Sequence, residues 1–287
     1  MTVSTTIPTA HSAGARGLSP GWGERTRIMG ILNLTPDSFF DGGRHNSSEK
    51  AELQAIRLEK EGADWLDLGA ESSRPGASII SEEEELRRLL PVLERVRCVV
   101  RIPISVDTAK ASVAKIALTA GATWINDIWG LQGDATMASV VAEAGASVVI
   151  MHNQRDTHYP DGVVFGINRF FENSLRLADR AGIPSERIVL DPGIGFGKTA
   201  EQSLVVLRSL REFRVFGRPL LVGASRKSVI GHVLDLPAAE RLEGSLVTTV
   251  AAVAAGVDVV RVHDVQAHVR AARMADAIYR FSSSLHG

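Results

Sequence analysis

A single (β/α)8 TIM barrel is the fold class this sequence predicts, on three observations. Eight short apolar runs each stop abruptly in polar or charged residues. Four of them begin about two residues after a glycine that closes a helical pattern: EGADWLDLG (61–69), AGATWINDI (120–128), AGASVVIMH (144–152) and AGVDVVRVH (255–263). No linker or composition break interrupts this alternation. Glycine suits the left-handed position that ends a helix, and unbroken Val, Ile, Leu and Trp runs suit strands covered on both faces. Alternation of this count in 287 residues fits a closed ring of strands inside a ring of helices.

In order, the first run (28–33) leads into NLTPDSFFDGG (33–43), followed by a helical pattern over 48–61. The second run (65–67) leads into GAESSRPG (69–76), and Ser81 with Glu84 gives the spacing of a capping box for a helix over 81–96. The acids at 82–85 favour that helix start electrostatically. Runs at 104–107, 124–127 and 148–152 alternate with helices over 109–120, 135–144 and 167–180. The sixth run (188–191) enters PGIGFGK, the seventh (220–223) enters SRKS, and the eighth spans 259–264, with helices over 200–213, 241–255 and 266–281. An open doubly wound sheet shares this alternation, but its first strand should enter a G-x-G-x-x-G turn, which the segment after Asn33 lacks.

The bulk composition excludes several function classes. Hydrophobic residues make up 45% and charged residues 23%, with 32 basic against 33 acidic side chains, so neither nucleic acid nor an anionic membrane has an electrostatic reason to bind. No apolar run reaches the ~18 residues that span a bilayer. The sole cysteine, Cys98, makes no internal disulfide and reads as a buried thiol in a reducing, cytoplasmic compartment. Residues 1–24 read as a disordered tail before a barrel domain over 25–287.

Strand ends of a barrel converge at one mouth, so their side chains can share one ligand. Asp107, Asn126, Asp191 and Lys227 supply two carboxylates, an amide and an ammonium. That set suits the edge of a flat heterocycle such as a pterin, with adjacent N–H donors and ring acceptors. Asn33, Ser72, Ser73, Arg74, Arg261 and His263 form an anion-friendly group, and the Asn33 amide oxygen suits a phosphate-bound Mg²⁺. The segments 35–48 and 69–81, after the first and second strands, have the length and composition of mobile lids.

The motifs MGILNLTPDSFFDGG, ESSRPGA, SVDT, INDIWG, MH, LDPGIGFGK, SRKS and RVHD, in this order, resemble those of the dihydropteroate synthases from residue 28 to about 281. The resemblance implies that Asp107, Asn126, Asp191 and Lys227 hold the pterin, with Ile128, Met151, Phe196 and Gly223 around its faces. It implies that Asn33, Arg74, Arg261 and His263 handle a pyrophosphate and its Mg²⁺, while Asp37 and Asp41 order the first loop. Phe39, Ser73, Pro75 and Ser228 would line a 4-aminobenzoate pocket. The implied chemistry is pyrophosphate departure from the pterin methylene, then attack by the aryl amine. Departures are Ala70, Ala224 and Gln202–Ser203, none of which removes an implied ligand.

Two alternatives share part of this pattern: a methyltetrahydrofolate-dependent methyltransferase-type barrel, which would not be expected to combine SRKS, RVHD and both loop motifs, and a noncatalytic pterin-binding paralogue. Apolar faces on the late helices, such as 246–255, favour a homodimer. His152 has no role in this reading.

Overall fold

The computed structural model describes residues 22–34, 44–71 and 80–280, with the backbone alone at 44–47. Eight parallel strands follow in chain order: β1 (Arg27–Asn33), β2 (Trp65–Gly69), β3 (Ile104–Asp107), β4 (Trp124–Asp127), β5 (Ser147–Met151), β6 (Ile188–Asp191), β7 (Leu221–Val222) and β8 (Val259–Val262). The helices among the described residues are α1 (Arg44–Lys60), α2 (Glu82–Val99), α3 (Ala111–Thr119), α4 (Met137–Glu143), α5 (Val163–Ala181), α6 (Ala200–Arg208), α7 (Ser228–Leu234), α8 (Leu242–Ala254) and α9 (Val265–Tyr279). The sheet runs β6-β5-β4-β3-β2-β1-β8-β7. A bridge between Leu190 and Leu220, with Leu190 N–H donating to the Pro219 carbonyl at 2.9 Å, joins its two edges. That closure rules out the open doubly wound sheet and makes the fold a TIM barrel.

Side chains alternate between two cores. Outward residues such as Leu66, Leu68, Val106, Ile125 and Val148 pack beneath the helices. Inward ones, Met29, Trp65, Val149, Val189, Leu221 and Val259, fill the lower barrel. Trp65 stacks on Trp124 with ring centroids 5.4 Å apart, and Trp22 meets Trp65 edge-on at 6.5 Å. Trp22 lies within the stretch read as tail, so packing against the barrel begins before residue 25; residues 1–21 lie outside the described ones. An apolar floor beneath and polar residues above leave the chemistry at the C-terminal mouth.

The four helix-closing glycines, Gly62, Gly121, Gly145 and Gly256, all have positive φ, from 60° to 112°. At α2 the capping box forms by half: Ser81 Oγ accepts from Glu84 N–H at 3.2 Å, while the Glu84 carboxylate binds Arg87 and Arg88. A complete box opens α6, where Thr199 and Gln202 bond reciprocally and Ser203 Oγ donates to the Thr199 carbonyl. The Gln202–Ser203 departure is therefore a change of helix-start chemistry.

Two expectations fail and one helix was not foreseen, each for a physical reason. The helix expected over 200–213 breaks at Ser209 into a 3-10 segment, Leu210–Phe216. Helix α7 has seven residues, too few to show a periodicity. Cys98 is exposed: the buried stripe of α2 is Leu89, Val92, Leu93 and Val96, and Cys98 lies off it. No helix among the described residues is long and apolar enough to cross a membrane.

Candidate active site

Strand register places the implied pocket groups in one row. Asn33 pairs with Gly69, Gly69 with Asp107, and Asp107 with Asn126, across four adjacent strands. On the other side Met151 pairs with Asp191. Backbone hydrogen bonding thus brings residues far apart in sequence to a common level.

Arg261, on β8, ties this row together from inside. Its Nε donates to Asp67 Oδ2 at 2.6 Å and its Nη2 to Asp107 Oδ2 at 2.9 Å. Asp67 also accepts from Asn126 Nδ2 at 3.1 Å. Sequence reasoning separated a pterin group from a pyrophosphate group; in the structure Arg261 belongs to the carboxylate cluster as well. Asp67 was passed over although it closes the second run (65–67), because the strand itself continues through Leu68 to Gly69 and no partner for the carboxylate lies nearby in sequence. The available signal was parity, since Trp65, Asp67 and Gly69 share one face of the strand.

Burial sets the electrostatics. Removal from water pushes the Asp107 carboxyl up, to about 7, against the pull of Arg261 and with the charge of Asp67 adding to the rise. Burial also raises Asp191, opposed by Lys227 and by the Gly193 N–H, which donates to Asp191 Oδ1 at 2.8 Å. Lys227 is brought down to about 8 by burial, with Asp191 opposing. Its Nζ donates to the Ile194 carbonyl at 2.6 Å and lies 4.4 Å from the Phe196 ring centroid. A Cβ at Gly223 would stand 3.8 Å from Lys227 Nζ and 3.7 Å from Arg261 Cβ, so this position borders both cations.

The remaining implied groups distribute as follows. Met151 is buried, and Ile128 and Phe196 are half-buried. His263 Nδ1 lies 3.1 Å from Ser225 Oγ, and Arg226 Nε donates to Asp264 at 2.9 Å, so the SRKS turn is fastened to the end of β8. Ser228 is exposed as the first residue of α7. Asp37, Phe39 and Asp41 on the first loop, and Ser72, Ser73, Arg74 and Pro75 on the second, lie outside the described residues, as do most of the two expected lids.

Several polar atoms of the barrel interior have no partner among the described residues: Asp67 Oδ1, Asn126 Oδ1 and Ser105 Oγ. Buried acceptors in this state suit a ligand carrying N–H groups. No group of three or more His, Cys, Asp or Glu able to hold a metal occurs among the described residues. Asn33, half-buried at the end of β1, offers a single neutral oxygen, which fits a cation whose other ligands are phosphate oxygens and water.

The family model described as pterin binding enzyme matches residues 29–263. The dihydropteroate synthase of Bacillus subtilis (strain 168) is 47% identical over 264 residues, 92% of either chain. The chain belongs to the dihydropteroate synthases. Among solved members, the crystal structure of the Clostridium difficile dihydropteroate synthase in the presence of pteroic acid is 51% identical, with a TM-score of 0.89 over 91% of this chain and 99% of that one. The Thermus thermophilus dihydropteroate synthase in complex with 6HMPPP is 43% identical, with a TM-score of 0.79 over 90% and 96%. A dihydropteroate synthase is a transferase of folate biosynthesis, which removes the methyltetrahydrofolate-dependent methyltransferase reading.

Proposed function

We propose that this dihydropteroate synthase joins 6-hydroxymethyl-7,8-dihydropterin pyrophosphate to 4-aminobenzoate, with the pterin edge read by Asp107, Asn126, Asp191 and Lys227. The observation that carries this reading is the in-register row ending in Asp107 and Asn126, beside which the buried acceptors Asn126 Oδ1 and Asp67 Oδ1 lack partners among the described residues. Ile128, Met151, Phe196 and Gly223 bound the ring faces. Pteroic acid and 6HMPPP in the two solved relatives support these substrates.

Departure of pyrophosphate breaks the methylene C–O bond, and the electron pair leaves with oxygen. The aryl amine then forms the C–N bond and releases a proton to solvent. Anionic Asp107 and Asp191 stabilise positive charge spread over the pterin, while Arg261 and His263, with Arg74, take the leaving anion. Asn33 would hold a Mg²⁺, which supplies charge neutralisation at the pyrophosphate. Asp37 and Asp41 order the first loop; Phe39, Ser73, Pro75 and Ser228 line the 4-aminobenzoate site. No side-chain nucleophile is needed, and the exposed, single free cysteine fits a reducing cytoplasm.

Purified protein with Mg²⁺ and both substrates should release pyrophosphate and dihydropteroate in equal amounts, and Lys227→Ala should lower kcat/KM for the pterin roughly 10²-fold. Pterin binding without pyrophosphate release would make the chain a noncatalytic paralogue. The unpartnered apolar surface, with Val247 at 68%, Met274 at 64% and Ile278 at 59% exposure on α8 and α9, supports a homodimer. Sedimentation equilibrium should return twice the chain mass; a monomer would reduce that surface to the outside of the barrel.

A further inference from the structure

We propose that Lys198, acting through His152, is a positioning residue for the pterin pocket: its buried ammonium locks the turn 192–197 onto the end of β5, fixing Phe196 and the aim of the Asp191 carboxylate. This rests on the reading of the pocket as a pterin cradle and adds two residues to which that reading gives no part.

Lys198 is 8% exposed, which is unusual for an ammonium unless its donors are all used. Here they are. Nζ lies 2.8 Å from His152 Nδ1, 2.9 Å from the Gly193 carbonyl and 2.9 Å from the Phe196 carbonyl. Three acceptors match the three N–H bonds of the ammonium, which assigns His152 the tautomer with its proton on Nε2. Burial, with the neighbouring Lys198 charge, holds His152 neutral, its pKa well below the usual imidazole value.

His152 is in turn fixed on every side. Its backbone N–H donates to the Asp191 carbonyl at 2.8 Å. Its ring meets Phe170 edge-on at 4.8 Å and lies 6.1 Å from Tyr159, whose hydroxyl donates to the Gly197 carbonyl at 2.7 Å. Gly193, at φ 68°, passes so close to the His152 carbonyl that a Cβ there would collide with it.

The turn is therefore gripped from two sides. Lys198 takes the carbonyls of Gly193 and Phe196, while Lys227 takes that of Ile194 and lies against the Phe196 ring. The same turn supplies the Gly193 N–H that orients Asp191. Removing the Lys198 ammonium takes the donor from His152 Nδ1 and the Phe196 carbonyl and leaves the Gly193 carbonyl with only the Phe196 N–H at 3.1 Å, and the turn is the part free to relax. The effect should fall on the pterin and spare the second substrate.

The test uses the full chain, with Lys198→Met, Lys198→Arg, His152→Phe and His152→Gln assayed for thermal midpoint, kcat and the KM of each substrate. Lys198→Met should raise the KM for pterin pyrophosphate at least about tenfold and leave that for 4-aminobenzoate within about threefold, with Lys198→Arg restoring part of the loss. If Lys198→Met does not fold, His152→Phe reads the latch from its other half and should raise the same KM. His152→Gln, which keeps an acceptor for the ammonium, should restore it. A pterin KM unchanged in both Lys198→Met and His152→Phe, or both KM values rising together, overturns the latch. Wild-type protein that fails to bind pterin pyrophosphate overturns the pocket reading instead.

Discussion

Replacing Arg261 by Ala should lower kcat by roughly 10²–10³-fold and destabilise the fold by about 3–5 kcal/mol at neutral pH. The two losses have different origins. The rate falls because the guanidinium is the buried cation expected to meet the leaving pyrophosphate. The stability falls because Asp67 and Asp107, 0% and 7% exposed, would share a buried space without their counter-charge. Against a typical total of about 5–15 kcal/mol, a loss of this size brings the fold close to its limit.

The pH dependence separates the two effects. Burial already lifts Asp107 to about 7, with Arg261 pulling it back, so removing Arg261 raises it further. A carboxyl whose folded pKa lies above its unfolded value contributes stability that is full below the unfolded value, near 3.8, and is lost as pH rises through the folded one. Arg261→Ala should therefore lose least stability relative to wild type near pH 5 and most near pH 8, in urea titrations at both values. Arg261→Lys should recover much of the stability and little of the rate, because an ammonium lacks the planar fork that reaches both carboxylates. A uniform loss at both pH values would show that the pairing energy does not reside in these carboxylates.

The barrel was legible because its determinants are local and repeat. Each helix-closing glycine with its buried run announces one αβ unit, and Gly62, Gly121, Gly145 and Gly256 adopt the backbone conformation that pattern requires. Asp107, Asn126 and Asp191 were legible for a related reason: each ends or nearly ends a run, and strand ends converge. What escaped were side chains defined by partners distant in sequence. Asp67 closes the second run, yet its part is explained only by Arg261, 194 residues away. Lys198 closes the PGIGFGK turn, and its part becomes visible only with His152, 46 residues earlier, beside it. Cys98 went astray in the opposite direction, since a helical pattern does not say on which side of the stripe a single residue falls. Helix α7 was too short to carry any pattern.

Asp67→Ala should be nearly as damaging as loss of Arg261, although no substrate-binding role is assigned to this carboxylate. Asp67 holds Arg261 Nε at 2.6 Å and Asn126 Nδ2 at 3.1 Å, so one deletion frees both a cation and a pterin-reading amide. Arg261 would keep only Asp107 and be drawn more firmly to it. A carboxylate occupied by Arg261 has fewer lone pairs for pterin N–H groups. The expected signature is a KM for pterin pyrophosphate raised by roughly 10-fold or more, together with a fall in kcat from a misplaced Arg261. Asp67→Asn tests the electrostatic part by itself: the amide preserves volume and one acceptor while removing the charge. If charge holds Arg261, Asp67→Asn should resemble Asp67→Ala; if the hydrogen bond suffices, it should resemble wild type. The first result is expected, because a buried guanidinium close to two carboxylates is held mainly by their charge and the low local dielectric strengthens that attraction.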